Sequence, residues 1–144
     1  MKTVPVYFSL GSNQGDRRAN IEEALRRLDK AVGRPREALS SVIESRAWGF
    51  DGADFLNCVV RYRTARRPET LLRICKRIER AMGRRETPEY DAEGRRIYHD
   101  RPIDIDILLY GDERIDTPDL QIPHPLMYER DFIMRPLEEI FTQK

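Results

Sequence analysis

Two aspartates stand two positions apart in the segment Asp-Arg-Pro-Ile-Asp-Ile-Asp-Ile-Leu-Leu, residues 100–109. If this segment is a strand, Asp104 and Asp106 share one face and lie about 7 Å apart, because side chains alternate and each residue advances the chain by roughly 3.3 Å. Mg²⁺ needs few protein carboxylates and completes its shell with water and phosphate oxygens. The pair therefore predicts a site for one or two divalent ions that also hold a phosphorylated ligand. The alternative is a pair of exposed strand acids neutralised by an arginine such as Arg101.

Basic residues gather just before these aspartates. Residues 61–101 hold 13 basic and 7 acidic side chains, whereas residues 102–144 hold 4 and 10, so the net charge of +1 hides two opposed blocks. Of the 26 basic residues 22 are arginine, whose planar fork suits phosphate. We expect Arg101, three residues before Asp104, to hold phosphate oxygens. Arg84, Arg85, Arg95 and Arg96 either fold over the same site or belong to a disordered basic loop.

Ring-binding and imidazole candidates lie elsewhere in the chain. Asn57 interrupts an apolar run beside Phe55. An amide can recognise the edge of a heteroaromatic ring on which an aromatic side chain stacks, although a buried amide is often satisfied within the protein. His124 stands between two prolines and near Arg130 and Phe132, which makes it a candidate for a site instead of a purely structural histidine.

The elements that must position these residues follow from periodicity and turn signals. The segments predicted are a strand at Val4–Leu10, a loop at Gly11–Asp16, a helix at Arg17–Val32, a strand at Leu39–Arg46, a loop at Ala47–Asp54, a strand at Phe55–Thr64, a helix at Pro68–Met82, a loop at Arg84–Arg101 and a strand at Ile103–Tyr110. This order, β-α-β-β-α-β, predicts an α+β fold in which two helices cover one face of an antiparallel sheet. The other face is left for a ligand, and a proline-containing C-terminal extension follows.

Composition limits the remaining choices. The chain has 144 residues, of which 40% are hydrophobic, which is enough for one core. Cys58 and Cys75 are isolated thiols at apolar positions, so neither a disulfide nor a zinc site is predicted. The apolar start lacks a signal-peptide cleavage site and is too short to span a bilayer. We therefore expect one domain over residues 1–144, cytoplasmic and monomeric, with neither a membrane nor a nucleic acid as partner.

Six segments form a combination that is more specific than any single motif. They are Leu-Gly-Ser-Asn at 10–13, Phe-Leu-Asn at 55–57, Ile-Glu and Gly-Arg within 78–84, Asp-Arg-Pro-Ile-Asp-Ile-Asp-Ile-Leu-Leu-Tyr-Gly at 100–111, Ile-Pro-His-Pro at 122–125 and Arg-Asp-Phe-Ile-Met-Arg-Pro-Leu at 130–137. The combination resembles the 6-hydroxymethyl-7,8-dihydropterin pyrophosphokinases of folate biosynthesis. The resemblance runs from Phe8 to about Ile140, which is nearly the whole chain.

This resemblance implies a ferredoxin-like fold and a reaction. The terminal pyrophosphoryl group of ATP is transferred to the pterin hydroxymethyl group, and AMP is released. Asp104 and Asp106 are implied to bind two Mg²⁺ ions that bridge the ATP phosphates and the attacking hydroxyl. Phe55 and Phe132 are implied to sandwich the pterin while Asn57 recognises its edge. The residues implied to line the pterin pocket are Ser45, Trp48 and Gly49.

The resemblance also implies a nucleotide-binding set. The residues implied to contact ATP phosphates or ribose are Arg84, Arg101, His124 and Arg130, of which Arg84 and Arg101 also assist catalysis. Those implied to lie near the nucleotide are Glu79, Tyr98 and Ile107.

Two alternatives of different classes remain open. An RNA-recognition module shares the β-α-β-β-α-β order and strand aromatics, although the run Phe55–Thr64 lacks the motif of such modules. A metal-dependent nucleotidyltransferase would use the same pair of aspartates but would release pyrophosphate in place of AMP.

Overall fold

A computed structural model describes residues 2–46, 53–83, 89–97 and 102–142. The elements in chain order are β1 (Val4–Ser12), α1 (Arg17–Val32), β2 (Ala38–Leu39), β3 (Ile43–Ser45), β4 (Phe55–Thr64), α2 (Pro68–Ala81), β5 (Glu89–Tyr90), β6 (Arg96–Ile97), β7 (Asp104–Tyr110), β8 (Ile115–Asp116), β9 (Gln121–Ile122), a 3₁₀ helix (Met127–Glu129) and α3 (Asp131–Ile140). The α+β prediction is confirmed.

The main sheet is built around β1. Its strands follow the order β2–β4–β1–β7, and β3 also pairs with β4. The pairs β1–β4, β1–β7, β2–β4 and β3–β4 are antiparallel, as predicted. Alternate apolar residues of β1, β4 and β7 pack against the apolar faces of α1 and α2 in one buried cluster, so two helices cover one face of the sheet.

Both long helices begin and end where local chemistry favours it. The Oδ1 atom of Asp16 accepts the backbone N–H of Ala19 at 3.1 Å, and Gly33 ends α1 at φ 79°, which suits glycine. The bounds predicted for α1 are confirmed. Helix α2 starts at Pro68 and ends at Ala81, one residue before the predicted end. None of the helices in the described ranges is long and apolar enough to cross a membrane.

The opposite face of the sheet is not left open along its whole length, so that part of the prediction is wrong. Helix α3 covers it and forms a second buried cluster, whose members are Tyr7, Val59, Leu108, Met127, Ile133 and Leu137. The spacing of Ile133, Leu137 and Ile140 is that of an amphipathic helix. The prolines of the C-terminal extension do not prevent this helix, since Pro136 is itself buried within it.

The second predicted strand is divided in two. Residues 40–42 separate β2 from β3, and the Oγ atom of Ser40 accepts the N–H of Val59 at 2.8 Å. A side chain therefore replaces the backbone carbonyl that would continue the ladder. The next residue turns toward α3, where the N–H and Oγ–H of Ser41 both donate to the Oε1 atom of Glu139 at 2.9 and 2.7 Å.

The polar stretch after α2 contains a short hairpin in its described part. β5 and β6 pair antiparallel, and the Oδ1 atom of Asp91 accepts the N–H groups of Glu93 and Arg95 in the connecting turn. Arg95 is also ion-paired with Asp91 and Glu93. This side chain therefore has acidic partners within its own turn. The paired strands of the described part differ from the disordered-loop alternative.

Shortening a buried side chain of α3 tests whether this helix stabilises the sheet. We expect Leu137→Ala to lower the free energy of unfolding by about 2–5 kcal/mol, because a buried leucine is replaced by a cavity. Glu138→Ala, a substitution of the exposed next residue, should change that free energy by less than about 0.5 kcal/mol. Urea unfolding monitored by circular dichroism measures both, and equal effects would contradict the packing of α3.

Candidate active site on the partly covered face of the sheet

The strand register brings the predicted chemical groups into two adjacent rows. In one row Gly11 of β1 lies between Asn57 and Asp104, and in the next row Ser9 lies between Val59 and Asp106. Because side chains alternate, these residues share the face that is opposite α1 and α2. The rows therefore place an amide and two carboxylates across three neighbouring strands.

Asp104 and Asp106 are partly exposed on this face, while Ile103, Ile105 and Ile107 are buried in the cluster below α1 and α2. The predicted alternation is confirmed. The described residues hold no group of three or more His, Cys, Asp or Glu arranged around a metal position. Two partly exposed carboxylates on one face nevertheless fit Mg²⁺, which takes its other ligands from water and phosphate.

Glu79 lies beneath these aspartates and not among them. It is 3% exposed on α2, and its Oε2 atom accepts the N–H of Ile105 at 2.8 Å. This N–H belongs to the peptide between Asp104 and Ile105, at the outer side of β7. The contact fixes that peptide and satisfies a donor of the strand edge. The implied proximity of Glu79 to a nucleotide stays a prediction.

The ring-binding candidates form a connected group on β3 and β4. The Nδ2 atom of Asn57 donates to Ser45 Oγ at 2.8 Å and to the Ile43 carbonyl at 3.4 Å. Asn57 is 6% exposed, so the internal partners that a buried amide needs are present. Its Oδ1 atom faces Gly11, where a Cβ would lie only 3.2 Å away.

Gly11 is a site residue that the sequence analysis placed in a loop. A Cβ on Gly11 would also lie 3.3 Å from Cδ1 of Phe55, so a side chain here would press on two ring-binding candidates. β1 continues through Gly11 to Ser12, two residues beyond the predicted end. A glycine beside a strand pattern is a known sign of close approach. The second missed neighbour is Ser9, opposite Asp106.

His124 is held rigidly at the outer side of β7. Its backbone N–H donates to the Leu108 carbonyl at 3.1 Å, and the Nδ1 atom of its ring accepts the backbone N–H of Leu126 at 3.3 Å. The neutral ring therefore carries its proton on Nε2. Burial and the positive charge of Arg130 lower the pKa of His124, and Asp104 opposes them.

Arg130 and Phe132 lie at the start of α3. The guanidinium carbon of Arg130 is 5.7 Å from the ring centroid of Phe132, which is within cation–π range. Phe132 is partly buried against the second cluster. Arg130 and Asp104 have opposite effects on the pKa of His124.

The remaining predicted site residues divide into two groups. Ile107 is buried among the core residues, so only its main chain can contact a nucleotide. The residues that lie outside the described ranges are Trp48, Gly49, Arg84, Tyr98 and Arg101.

An antiparallel sheet with two carboxylates and an amide on one face, and a histidine bonded at its outer strand, defines an α+β domain with a candidate site for a polar ligand. Comparison with known proteins identifies the family. The sequence model of the 7,8-dihydro-6-hydroxymethylpterin-pyrophosphokinases matches residues 7–142. The chain belongs to this family, as the resemblance predicted, and is a pyrophosphokinase.

Curated relatives agree with this assignment. The chain is similar to the 2-amino-4-hydroxy-6-hydroxymethyldihydropteridine pyrophosphokinase of Porphyromonas gingivalis, with 43% identity over 94% of this chain and 89% of the relative. Enzymes of the same name from Aquifex aeolicus and Bacillus subtilis are 43% and 37% identical over 94% and 95% of this chain, and over 79% and 78% of their own lengths.

The titration of His124 tests the electrostatics of the site. In Mg²⁺-free buffer we expect its pKa to lie below the ordinary value of about 6.5, because burial and Arg130 disfavour the charged ring. Arg130→Gln should raise this pKa, and Asp104→Asn should lower it further. Proton NMR of the imidazole follows both, with His99→Gln used to assign the two signals. A pKa that did not respond to either substitution would contradict this arrangement.

Proposed function

We propose that this chain transfers the pyrophosphoryl group of ATP to 6-hydroxymethyl-7,8-dihydropterin, giving the dihydropterin diphosphate and AMP. The observation that carries the proposal is the strand register, which aligns Asn57, Gly11 and Asp104 in one row and places Asp106 in the next. An amide and two carboxylates thus lie on one face, which supports the proposed roles of Asn57 in ring recognition and of Asp104 and Asp106 in metal binding. The family and its relatives support the same reaction.

On the pterin side, Asn57 acts mainly through its carbonyl oxygen. Its Nδ2 atom already donates to Ser45 and Ile43, so Oδ1 is the atom that accepts N–H groups from the pyrimidine edge of the pterin. Phe55 supplies a ring on which the pterin stacks, and Phe132 closes the other side. Ser45 orients the amide, while Trp48 and Gly49 complete the pocket.

On the nucleotide side, cationic and imidazole groups bind the phosphates. Arg130 neutralises phosphate charge, and the Nε2–H of neutral His124 donates a hydrogen bond without adding a further positive charge. Arg84 and Arg101 bind phosphate oxygens and stabilise the charge that develops during transfer. Tyr98, Glu79 and the main chain of Ile107 lie near the nucleoside. These assignments follow from position in the family's motifs.

Asp104 and Asp106 hold two Mg²⁺ ions in this proposal. When bound, the ions neutralise the phosphate oxygens and lower the pKa of the attacking hydroxyl. The protein contributes by positioning the substrates. The pterin hydroxyl must face the β-phosphorus of ATP, in line with the bond between the β-phosphorus and the oxygen that leaves with AMP. The buried contact between Glu79 and the N–H of Ile105 supports the two carboxylates by fixing the peptide beside them.

The proposal extends to the fold family and organisation of the chain. The strand order β2–β4–β1–β7, with β2 and β3 as two parts of one edge strand, supports a ferredoxin-like arrangement. The family match over residues 7–142 supports one catalytic domain over residues 1–144. We propose that this domain acts as a cytoplasmic monomer on ATP and the pterin, without nucleic acid.

Product analysis tests the reaction. With purified protein, ATP, Mg²⁺ and the dihydropterin, we expect AMP and the pterin diphosphate in equal amounts, because the bond between the α- and β-phosphates breaks. Anion-exchange chromatography separates AMP from ADP and pyrophosphate. Formation of ADP would indicate an ordinary kinase, formation of pyrophosphate a nucleotidyltransferase, and no turnover would reject the proposal.

Removing one carboxylate tests the metal site. We expect Asp106→Ala to lower turnover on the order of 10³-fold or more, since a group that stabilises transition-state charge is lost. Its unfolding temperature should not fall, because Asp106 is partly exposed and outside the buried clusters. Asp112→Ala, an exposed acid in the turn after β7, is the matched control and should retain normal turnover. Turnover near that of the unchanged protein in Asp106→Ala would contradict the assignment.

A further inference from the structure

One guanidinium on α1 connects the two strands that carry the proposed pterin-binding residues. The Nη2 atom of Arg17 lies 3.2 Å from Oε1 of Glu44 on β3, and its Nη1 atom donates to the Asp54 carbonyl at 3.0 Å, immediately before β4. A planar guanidinium can satisfy two acceptors at a fixed separation. Arg17 therefore bridges the end of β3 and the residue before β4, in addition to the direct β3–β4 pairing.

The residues next to these two acceptors face the pterin site. Ser45 follows Glu44, Phe55 follows Asp54, and Ser45 and Phe55 are direct partners in the β3–β4 pairing. Ser45 in turn accepts the hydrogen bond from Asn57. Phe55 and Asn57 share β4, so a change in the spacing of the strand ends would move Ser45 relative to both and would alter the orientation of the Asn57 amide, whose hydrogen bond Ser45 accepts.

A second hydrogen bond acts in the same place. The Nδ2 atom of Asn13, which lies just after β1, donates to the Ala53 carbonyl at 3.0 Å. Asn13, Arg17, Glu44 and Asp54 line a cleft of about 510 Å³ between these segments. Among the described residues that line the cleft, none is a large apolar side chain. Within the described ranges, the hydrogen bonds of Asn13 and Arg17 join these segments there.

We propose that Arg17 is a positioning residue for the pterin, acting through Glu44 and the Asp54 carbonyl on Ser45 and Phe55. This inference rests on the proposed function of the chain. Side-chain exposures of 31% for Arg17 and 61% for Glu44 make the ion pair a weak contributor to global stability. Small errors in the placement of a bound ligand, in contrast, are costly for binding and turnover.

A purely structural role for this ion pair makes a different prediction. If Arg17 only contributes to folding, its loss should act like the loss of any exposed ion pair on α1. The chain offers such a pair on the same helix, because Arg26 is bonded to Glu23 at 2.6 Å with side-chain exposures of 65% and 35%. Arg26→Met is therefore the matched control for Arg17→Met.

The test compares affinities for the two substrates. We expect Arg17→Met to raise the KM for the dihydropterin and its dissociation constant, measured by calorimetry without ATP, about tenfold, as for the loss of hydrogen bonds to a charged group. The KM for ATP should change less than twofold, and the unfolding temperature should match that of Arg26→Met. Arg26→Met should retain both KM values.

Two further variants separate the bridging role from the charge. Glu44→Gln keeps an acceptor oxygen for Arg17 and should change the pterin KM less than threefold. Arg17→Lys keeps the charge but lacks the planar fork that reaches two acceptors. Compared with Arg17→Met, it should recover less than half of the loss in dihydropterin affinity, measured as the logarithm of the dissociation constant.

Failure of this inference differs from failure of the proposed function. If the unchanged protein forms AMP from ATP and the dihydropterin, but Arg17→Met has a normal pterin KM, Arg17 does not position the pterin. An equal rise in both KM values, or a rise matched by Arg26→Met, would also overturn the inference. If the unchanged protein forms no AMP, the proposed function is rejected, and the role of Arg17 is rejected with it.

Discussion

The register of β1 against its two neighbours is the constraint on which the site depends. Gly11 must face Asn57 on one side and Asp104 on the other, and Ser9 must face Asp106. A slip of one residue in either pairing would turn Asn57 or the aspartates toward α1 and α2, because side chains alternate between faces. The apolar residues below the sheet oppose such a slip, since the same slip would expose them to water.

The outer side of β7 is satisfied by two residues that the resemblance assigns to the nucleotide-binding set. Glu79 accepts the N–H of Ile105, and the N–H of His124 donates to the carbonyl of Leu108. The register of β7 against β1 shifts at Leu108: Tyr7 pairs with Leu109, whereas Phe8 pairs with Ile107. The irregularity leaves Leu108 in the second cluster, under α3. One strand therefore presents carboxylates at one end and supports α3 at the other.

Local sequence patterns were sufficient for some elements and not for others. Helix α1 could be predicted to the residue because its cap, its apolar spacing and its terminal glycine all lie within or beside it. The alternation around Asp104 and Asp106 is likewise local. The break at Ser40 depends on a hydrogen bond to Val59, and the continuation of β1 through Gly11 depends on pairing with two strands distant in sequence. Such contacts leave no periodic pattern near the residue concerned.

The same limit explains the errors about the ligand face. The prolines of the C-terminal segment indicate short helices and irregular turns but not where they pack, and α3 is stabilised by the apolar surface of Tyr7, Val59 and Leu108. The sequence could identify Asn57 as unusual but not its partner, since Ser45 lies on another strand. The site is thus predictable where its residues are close together in the sequence, as Asp104 and Asp106 are. It is not predictable where strand pairing brings distant residues together, as with Asn57 and Ser45.

Each of the three strands at the site carries a residue that strands disfavour: glycine in β1, asparagine in β4 and aspartate in β7. Such residues weaken strand pairing. The opposite face compensates, because Phe8, Val60 and Ile105 lie in the large buried cluster with α1 and α2. Since that cluster fixes the pairing, the ligand face does not need apolar side chains to hold the sheet together. It can therefore carry a buried amide and two partly exposed carboxylates, the groups proposed to bind a polar ligand, and α3 needs to cover only the part beyond them.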